Sequence, residues 1–146
     1  MAILRFPLVL LLVLLVPSSA GSDSPTPVGI WLHANKLIQV EIVPCADRLC
    51  GKIVWFKWPN DAKGLPLVDL KNPEPALRKR PLLGLTILQG LRRTGERTWE
   101  DGEIYNPING RDYQATMSIK SYNILRVRAY MLIPMFGETQ IWTRVQ

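Results

Sequence analysis

The chain is short of the residues on which catalysis usually rests. His33 is its single histidine, so a Ser–His–Asp or Cys–His arrangement would have one base near neutral pKa to draw on, placed at the end of an expected strand. Two cysteines, Cys45 and Cys50, cannot supply the four ligands of a structural zinc site, and neither a carboxylate pair nor a second histidine accompanies His33 to make another metal shell. No phosphate-cradling glycine loop occurs; the isolated glycines read as turns or bulges. No segment keeps a helical repeat of apolar residues. No apolar run is long enough to cross a hydrocarbon layer of roughly 30 Å. These shortages favour a binding module over an enzyme, with no cofactor and no metal.

What is present begins with an export pattern. Met1 to Ala20 carries Arg5 as its one charge, an apolar stretch Leu8 to Val16, and small residues at Pro17-Ser18-Ser19-Ala20, the layout of a cleavable signal peptide. An uncleaved anchor is the alternative, and the stretch is too short for one. A cysteine close behind the apolar stretch, as a lipoprotein anchor requires, is missing. Residues 21–27 read as a loose polar lead and 28–146 as one domain. Without Arg5 the chain holds 17 Lys and Arg against 12 Asp and Glu, a net charge of +5. So mild a basic balance favours nonspecific attraction to anions, and export argues against nucleic acid as the partner. The expected location is periplasmic or extracellular.

From Val28 onward, short segments alternate apolar and polar residues with turn residues between them, which is a β-meander. The clearest pair is Arg111 to Ile119, with Tyr113, Ala115 and Met117 on one face, and Asn123 to Leu132, with Leu125, Val127 and Ala129 on one face. Asn106-Pro107-Ile108-Asn109-Gly110 before them is strong turn chemistry. The other expected strands are Val28 to His33, Lys36 to Val43, Gly51 to Lys57, Leu83 to Arg93, Gly102 to Asn106 and Glu138 to Val145. Eight antiparallel strands in sequence leave two raw edges unless they close into an up-and-down barrel, a sandwich being the alternative. Cys45 and Cys50 flank an expected hairpin, and an oxidising compartment would bridge them, stabilising by only about 2 kcal/mol because the loop is short.

Trp58 to Leu82 interrupts the pattern with a long Pro-, Asp- and Lys-bearing connection, a candidate lid. Glu100, Asp101 and Glu103 cluster beside Gly102 and read as solvated acids at a hairpin bend rather than as an acid–base pair. Trp31, Trp55, Trp58, Trp99 and Trp142 fit either a packed core or the lining of an apolar cavity.

An ordered series of motifs gives a more specific reading: Val28-Gly29-Ile30-Trp31, Cys50-Gly51-Lys52-Ile53-Val54-Trp55, Arg80-Pro81-Leu82-Leu83-Gly84-Leu85, Gly102-Glu103-Ile104-Tyr105-Asn106-Pro107, Leu125-Arg126-Val127-Arg128 and Pro134-Met135-Phe136-Gly137 running on to Arg144. From Val28 to Val145 the chain resembles a bacterial exported family, domain of unknown function 2147. The resemblance implies a lipocalin-like eight-stranded barrel without established enzymatic activity. It also implies that Trp31, in the Gly29-x-Trp31 pair, closes one barrel end under a late-strand arginine, Arg144 first, then Arg126 or Arg128. Ala129 departs from the glycine usual in the family.

Three functions compete. The leading one is a carrier or sensor of a small apolar or amphipathic molecule, bound against Tyr113, Ala115, Met117, Leu125, Val127 and Ala129, with Arg80 holding an acidic headgroup. The second is a structural or interaction module of the cell envelope with a filled barrel; the third, an enzyme, lacks its chemistry. Cleavage after Ala20 should leave Gly21 as the first residue of the exported protein. N-terminal sequencing checks this, and an intact Met1 in the membrane fraction would refute it.

Overall fold

The computed structural model describes residues 24–146; the signal peptide assigned to Met1 to Ala20, and residues 21–23 of the lead, lie outside them. The described residues form eight strands: β1 (Gly29–Leu32), β2 (Ile38–Cys45), β3 (Arg48–Phe56), β4 (Thr86–Arg93), β5 (Thr98–Asn106), β6 (Arg111–Ser121), β7 (Ile124–Tyr130) and β8 (Gly137–Arg144). Each pairs with the next in chain order, and β8 pairs with β1, giving a closed antiparallel barrel. The alternation read from β6 and β7 has the physical outcome it implies. Ala115, Met117 and Ile119 from β6, and Leu125 and Val127 from β7, are buried in one core cluster with Trp31, Trp99 and Trp142, while their strand neighbours face out.

Closure is narrow. β1 meets β8 through Trp31 opposite Arg144 and Leu32 opposite Thr143, and two backbone bonds extend the seam: Ile30 N–H to Gln146 O at 2.7 Å and Val145 N–H to Ile30 O at 2.7 Å. Gly29 makes this possible. Its φ is +139°, and a Cβ there would lie 2.5 Å from the Gln146 carbonyl oxygen, so a side chain would push β1 away from Gln146. Thr26 and Pro27, read from sequence as part of a loose lead, are tied into this end: the Trp31 indole Nε1 donates to Pro27 O at 2.8 Å and Arg144 Nη2 to Thr26 O at 2.8 Å.

Two turns differ in placement from the sequence reading. Strands β2 and β3 run further than expected, so Cys45 and Cys50 sit within them on either side of an Ala46–Asp47 turn, and they are joined in a disulfide with Cα atoms 5.7 Å apart. The β4–β5 bend falls at Thr94–Arg97 rather than at the acidic cluster. Glu100, Asp101 and Glu103 lie inside β5, where the register slips between Trp99 and Gly102 and Asp101 takes a φ of 61°. That bulge turns Trp99 inward and Asp101 outward, onto Arg92 at 2.6 Å.

In such a meander the connections alternate between ends. The β1–β2, β3–β4, β5–β6 and β7–β8 connections share one end; the three remaining turns share the other with Thr26 and Gln146. Replacing Ala115, 1% exposed in the core, with Phe should cost about 1–3 kcal/mol through overpacking, read as a shift in the urea midpoint; an unchanged midpoint would mean that the core has slack there.

Candidate functional site

The end opposite the Arg144 seam is hollow. A cavity of about 690 Å³ opens there, within the range that holds a small organic ligand. Its barrel walls are Ile38 of β2, Ile53 and Phe56 of β3, Ile87 of β4, and Ile104 and Tyr105 of β5. The long β3–β4 connection supplies Trp58, Leu67, Leu70 and Leu82, and the β5–β6 turn supplies Pro107 and Ile108. Polar groups are few: His33, Asn35, Asn60, Asn106, Gln140 and Lys71. A second recess of about 630 Å³ shares Asn106, Ala129 and Gln140 with the first and reaches Tyr113, Met135 and Phe136.

The β3–β4 connection is held by a carboxylate. Asp69 is fully buried, and a lone charge in that position would be expensive. It accepts from the Tyr105 hydroxyl at 2.6 Å, from Asn72 Nδ2 at 2.8 Å, and from Arg80 Nε at 2.9 Å and Nη2 at 2.8 Å. Burial pulls the Asp69 pKa upward, but the hydrogen bonds from Tyr105, Asn72 and Arg80 and the arginine's charge outweigh it, and the pKa ends below its ordinary 3.8. Tyr105 moves the other way, pushed up to about 12 by burial and by its bond to Asp69. The main chain adds to the anchor: Asp69 N–H donates to Arg80 O at 3.0 Å, and Leu82 N–H to Leu67 O at 3.0 Å. At Gly110, φ is +70° and a Cβ would fall 1.9 Å from the Lys71 carbonyl oxygen, so the connection lies directly on the β5–β6 turn. The segment expected to be a lid is a fixed part of the cavity wall, with one 3₁₀ turn at Pro75–Leu77.

The structure distributes the sequence-selected ligand residues unevenly. Ala129 lines both recesses and Tyr113 the second, with its hydroxyl accepting from Asn109 Nδ2 at 2.8 Å. Ala115, Met117, Leu125 and Val127 belong to the packed core and line neither. Their inward face was legible, but period-two alternation does not say at which height of a barrel the interior is filled. Arg80 is committed to Asp69; the charged residue on the main cavity wall is Lys71. Trp31 and Arg144 lie at the closed end, with the guanidinium 4.2 Å from the indole centroid.

His33, read from sequence only as a lone histidine at the end of a strand, is on the cavity wall. Its ring is 5.3 Å from that of Trp142, and Nδ1 accepts from the Asn35 main-chain N–H at 3.1 Å. Burial lowers its pKa below 6.5 against the weaker raising effects of Asn35, Gln140 and Glu138. The usable signal was position: His33 directly follows β1 on the first connection of the open end.

A closed eight-stranded meander, sealed at one end by a tryptophan under an arginine and open at the other over an apolar cavity, has the lipocalin-like architecture. Residues 29–144 match the model of a family described as "Uncharacterized protein conserved in bacteria (DUF2147)", and the chain belongs to that family. Among solved structures it is similar to a protein from Helicobacter pylori titled "Protein HP1028 from the human pathogen Helicobacter pylori belongs to the lipocalin family". The TM-score is 0.69 at 24% identity, covering 81% of this chain and 82% of that one. No curated protein matches the chain.

The Asp69 network generates a pH signature. Because the folded pKa of Asp69 is depressed, its contribution is complete above 3.8 and is lost as pH falls through the lower folded value; that of Tyr105, raised to about 12, is complete below 10.0 and is lost as pH climbs through 12. Asp69→Asn should lower stability by about 1–3 kcal/mol at neutral pH and flatten the acid limb in urea melts run against pH. An unaltered acid limb would place the acid sensitivity elsewhere.

Proposed function

We propose that this protein is an exported, non-catalytic binding protein whose open-end cavity takes a single-chain amphiphile, with the apolar chain among Ile38, Ile53, Phe56 and Ile87 and an anionic headgroup at Lys71. The observation that carries the reading is the cavity itself: about 690 Å³ of mainly apolar wall with a few converging polar groups at its mouth, the usual composition of a small-ligand site. Lys71 is the one lysine on that wall among the described residues, and no arginine, aspartate or glutamate accompanies it there. Export is supported by the Cys45–Cys50 disulfide, a bond that persists in oxidising compartments, together with the signal pattern of Met1 to Ala20. A non-catalytic role is supported by the residue supply, His33 being the single histidine and Cys45 and Cys50 being joined in a disulfide.

A fluorescent fatty-acid analogue tests this. The wild type should bind it, and Lys71→Gln should weaken binding about fivefold, the loss of one charge interaction near 1 kcal/mol. Ala129→Phe should fill the space between the two recesses and reduce binding by more, with little change in melting temperature because Ala129 borders open volume. A wild type that binds no such probe, with Ala129→Phe losing stability as a packed site would, replaces this reading with a structural module of the cell envelope.

A further inference from the structure

Large apolar side chains are exposed mostly at one end of this barrel. Trp58, Leu70, Ile108, Leu132, Met135 and Phe136 are between 66% and 86% exposed, and all six belong to the β3–β4, β5–β6 and β7–β8 connections that surround the cavity mouth. Trp58, Leu70 and Ile108 border the main cavity, Met135 and Phe136 the adjoining recess. The β7–β8 loop is built to present its apolar groups outward: Arg128 Nε donates to Pro134 O at 2.8 Å, Phe136 N–H to Ile133 O at 3.0 Å, and Leu132 is held at a φ of 66°. A branched residue in the left-handed region is strained and needs its surroundings to keep it there.

Charge follows the same asymmetry. The four open-end connections carry exposed Lys36, Lys57, Lys63, Lys71, Arg78 and Lys79 against exposed Asp61 and Glu74, Asp69 being buried and neutralised by Arg80. The turns at the closed end carry Asp47, Glu96 and Arg97. An apolar rim studded with lysines matches an anionic bilayer surface, where apolar groups enter the headgroup layer and each cation near the surface adds attraction. A protein partner would have to present a matching acidic, apolar-centred face, whereas an anionic lipid surface offers both features without any shape requirement.

We propose that the open end docks on an anionic lipid surface, so that the cavity mouth faces the membrane. Docking goes beyond the ligand reading and does not depend on it: it shares lining residues such as Trp58 and Lys71 with the cavity mouth, but Leu132, Lys63 and Lys79, which line neither recess, distinguish the two. Cosedimentation of the full exported protein with phosphatidylcholine vesicles, with and without phosphatidylglycerol, tests it. Binding is expected only with phosphatidylglycerol and should weaken with salt. Lys63→Gln and Lys79→Gln should each reduce it about fivefold, and Leu132→Ser with Phe136→Ser should remove most of it. The closed-end control Lys120→Gln, at an exposed position late in β6, should bind as wild type does, and Met135→Ser should by itself reduce binding. Failure of the wild type to bind phosphatidylglycerol vesicles at low salt overturns the proposal, as does equal binding by the Leu132/Phe136 variant. A concentration-dependent dimer that the rim variants abolish, with no vesicle binding, would assign the rim to a second copy of the chain. Vesicle binding by a protein that takes up no fatty-acid probe would leave docking standing and remove the ligand reading alone.

Discussion

The barrel depends on a seam only a few residues long. β1 has four residues, and it meets β8 at Trp31 opposite Arg144 and Leu32 opposite Thr143. Were the seam to open, β1 and β8 would become raw edges and the interior would flood, because a meander has no second sheet to cover it. Arg144 compensates for the short ladder by bonding three carbonyls from two distant parts of the chain, Tyr122 in the β6–β7 turn and Val28 and Thr26 ahead of β1, at 2.7–2.9 Å. Its guanidinium also lies between the rings of Trp31 and Tyr122, at 4.2 and 4.6 Å. A planar, always-charged fork can do this; a lysine's point charge cannot. Gly29 is part of the same device, because only a residue without a Cβ lets the C-terminal carbonyl approach.

Sealing one end leaves the other to be held by different means. The long β3–β4 connection has no regular hydrogen-bonded ladder of its own, and Asp69 substitutes for one by gathering Tyr105, Asn72 and Arg80 around a buried carboxylate. Removing any one partner would leave a buried charge undersatisfied. The segment is therefore wall rather than flap. The shape of the cavity follows from where that wall sits on the β5–β6 turn, at the contact between Lys71 and Gly110.

The two ends so differ in chemistry as well as in packing. At the closed end, polar capping of a tryptophan core makes a dry, rigid base. At the open end, exposed apolar groups stand on the rim beside lysines, and the interior beneath them is hollow. A filled barrel would have needed larger residues at the height of Ala129, where β7 carries a methyl group between two recesses. Small size there and exposed bulk on the rim are complementary parts of one arrangement.

The sequence by itself determined the strand count, the inward faces of β6 and β7 and the disulfide hairpin, because alternation, turn residues and cysteine placement are local signals that a few neighbouring residues carry, while the family was legible in the ordered series of motifs along the whole domain. It misplaced the β4–β5 bend, since a bulge at Asp101 breaks the alternation that marks a strand. The height of the cavity, the capture of Arg80 by Asp69, the conversion of the expected lid into a wall and the arrival of His33 on that wall were decided only by the tertiary structure. Each depends on which residues distant in sequence meet when the barrel closes: Asp69 and Tyr105 are 36 positions apart, and nothing local to either announces the other. Period two tells inside from outside on a strand. How far up the barrel the inside is filled is set by all eight strands and the β3–β4 connection together.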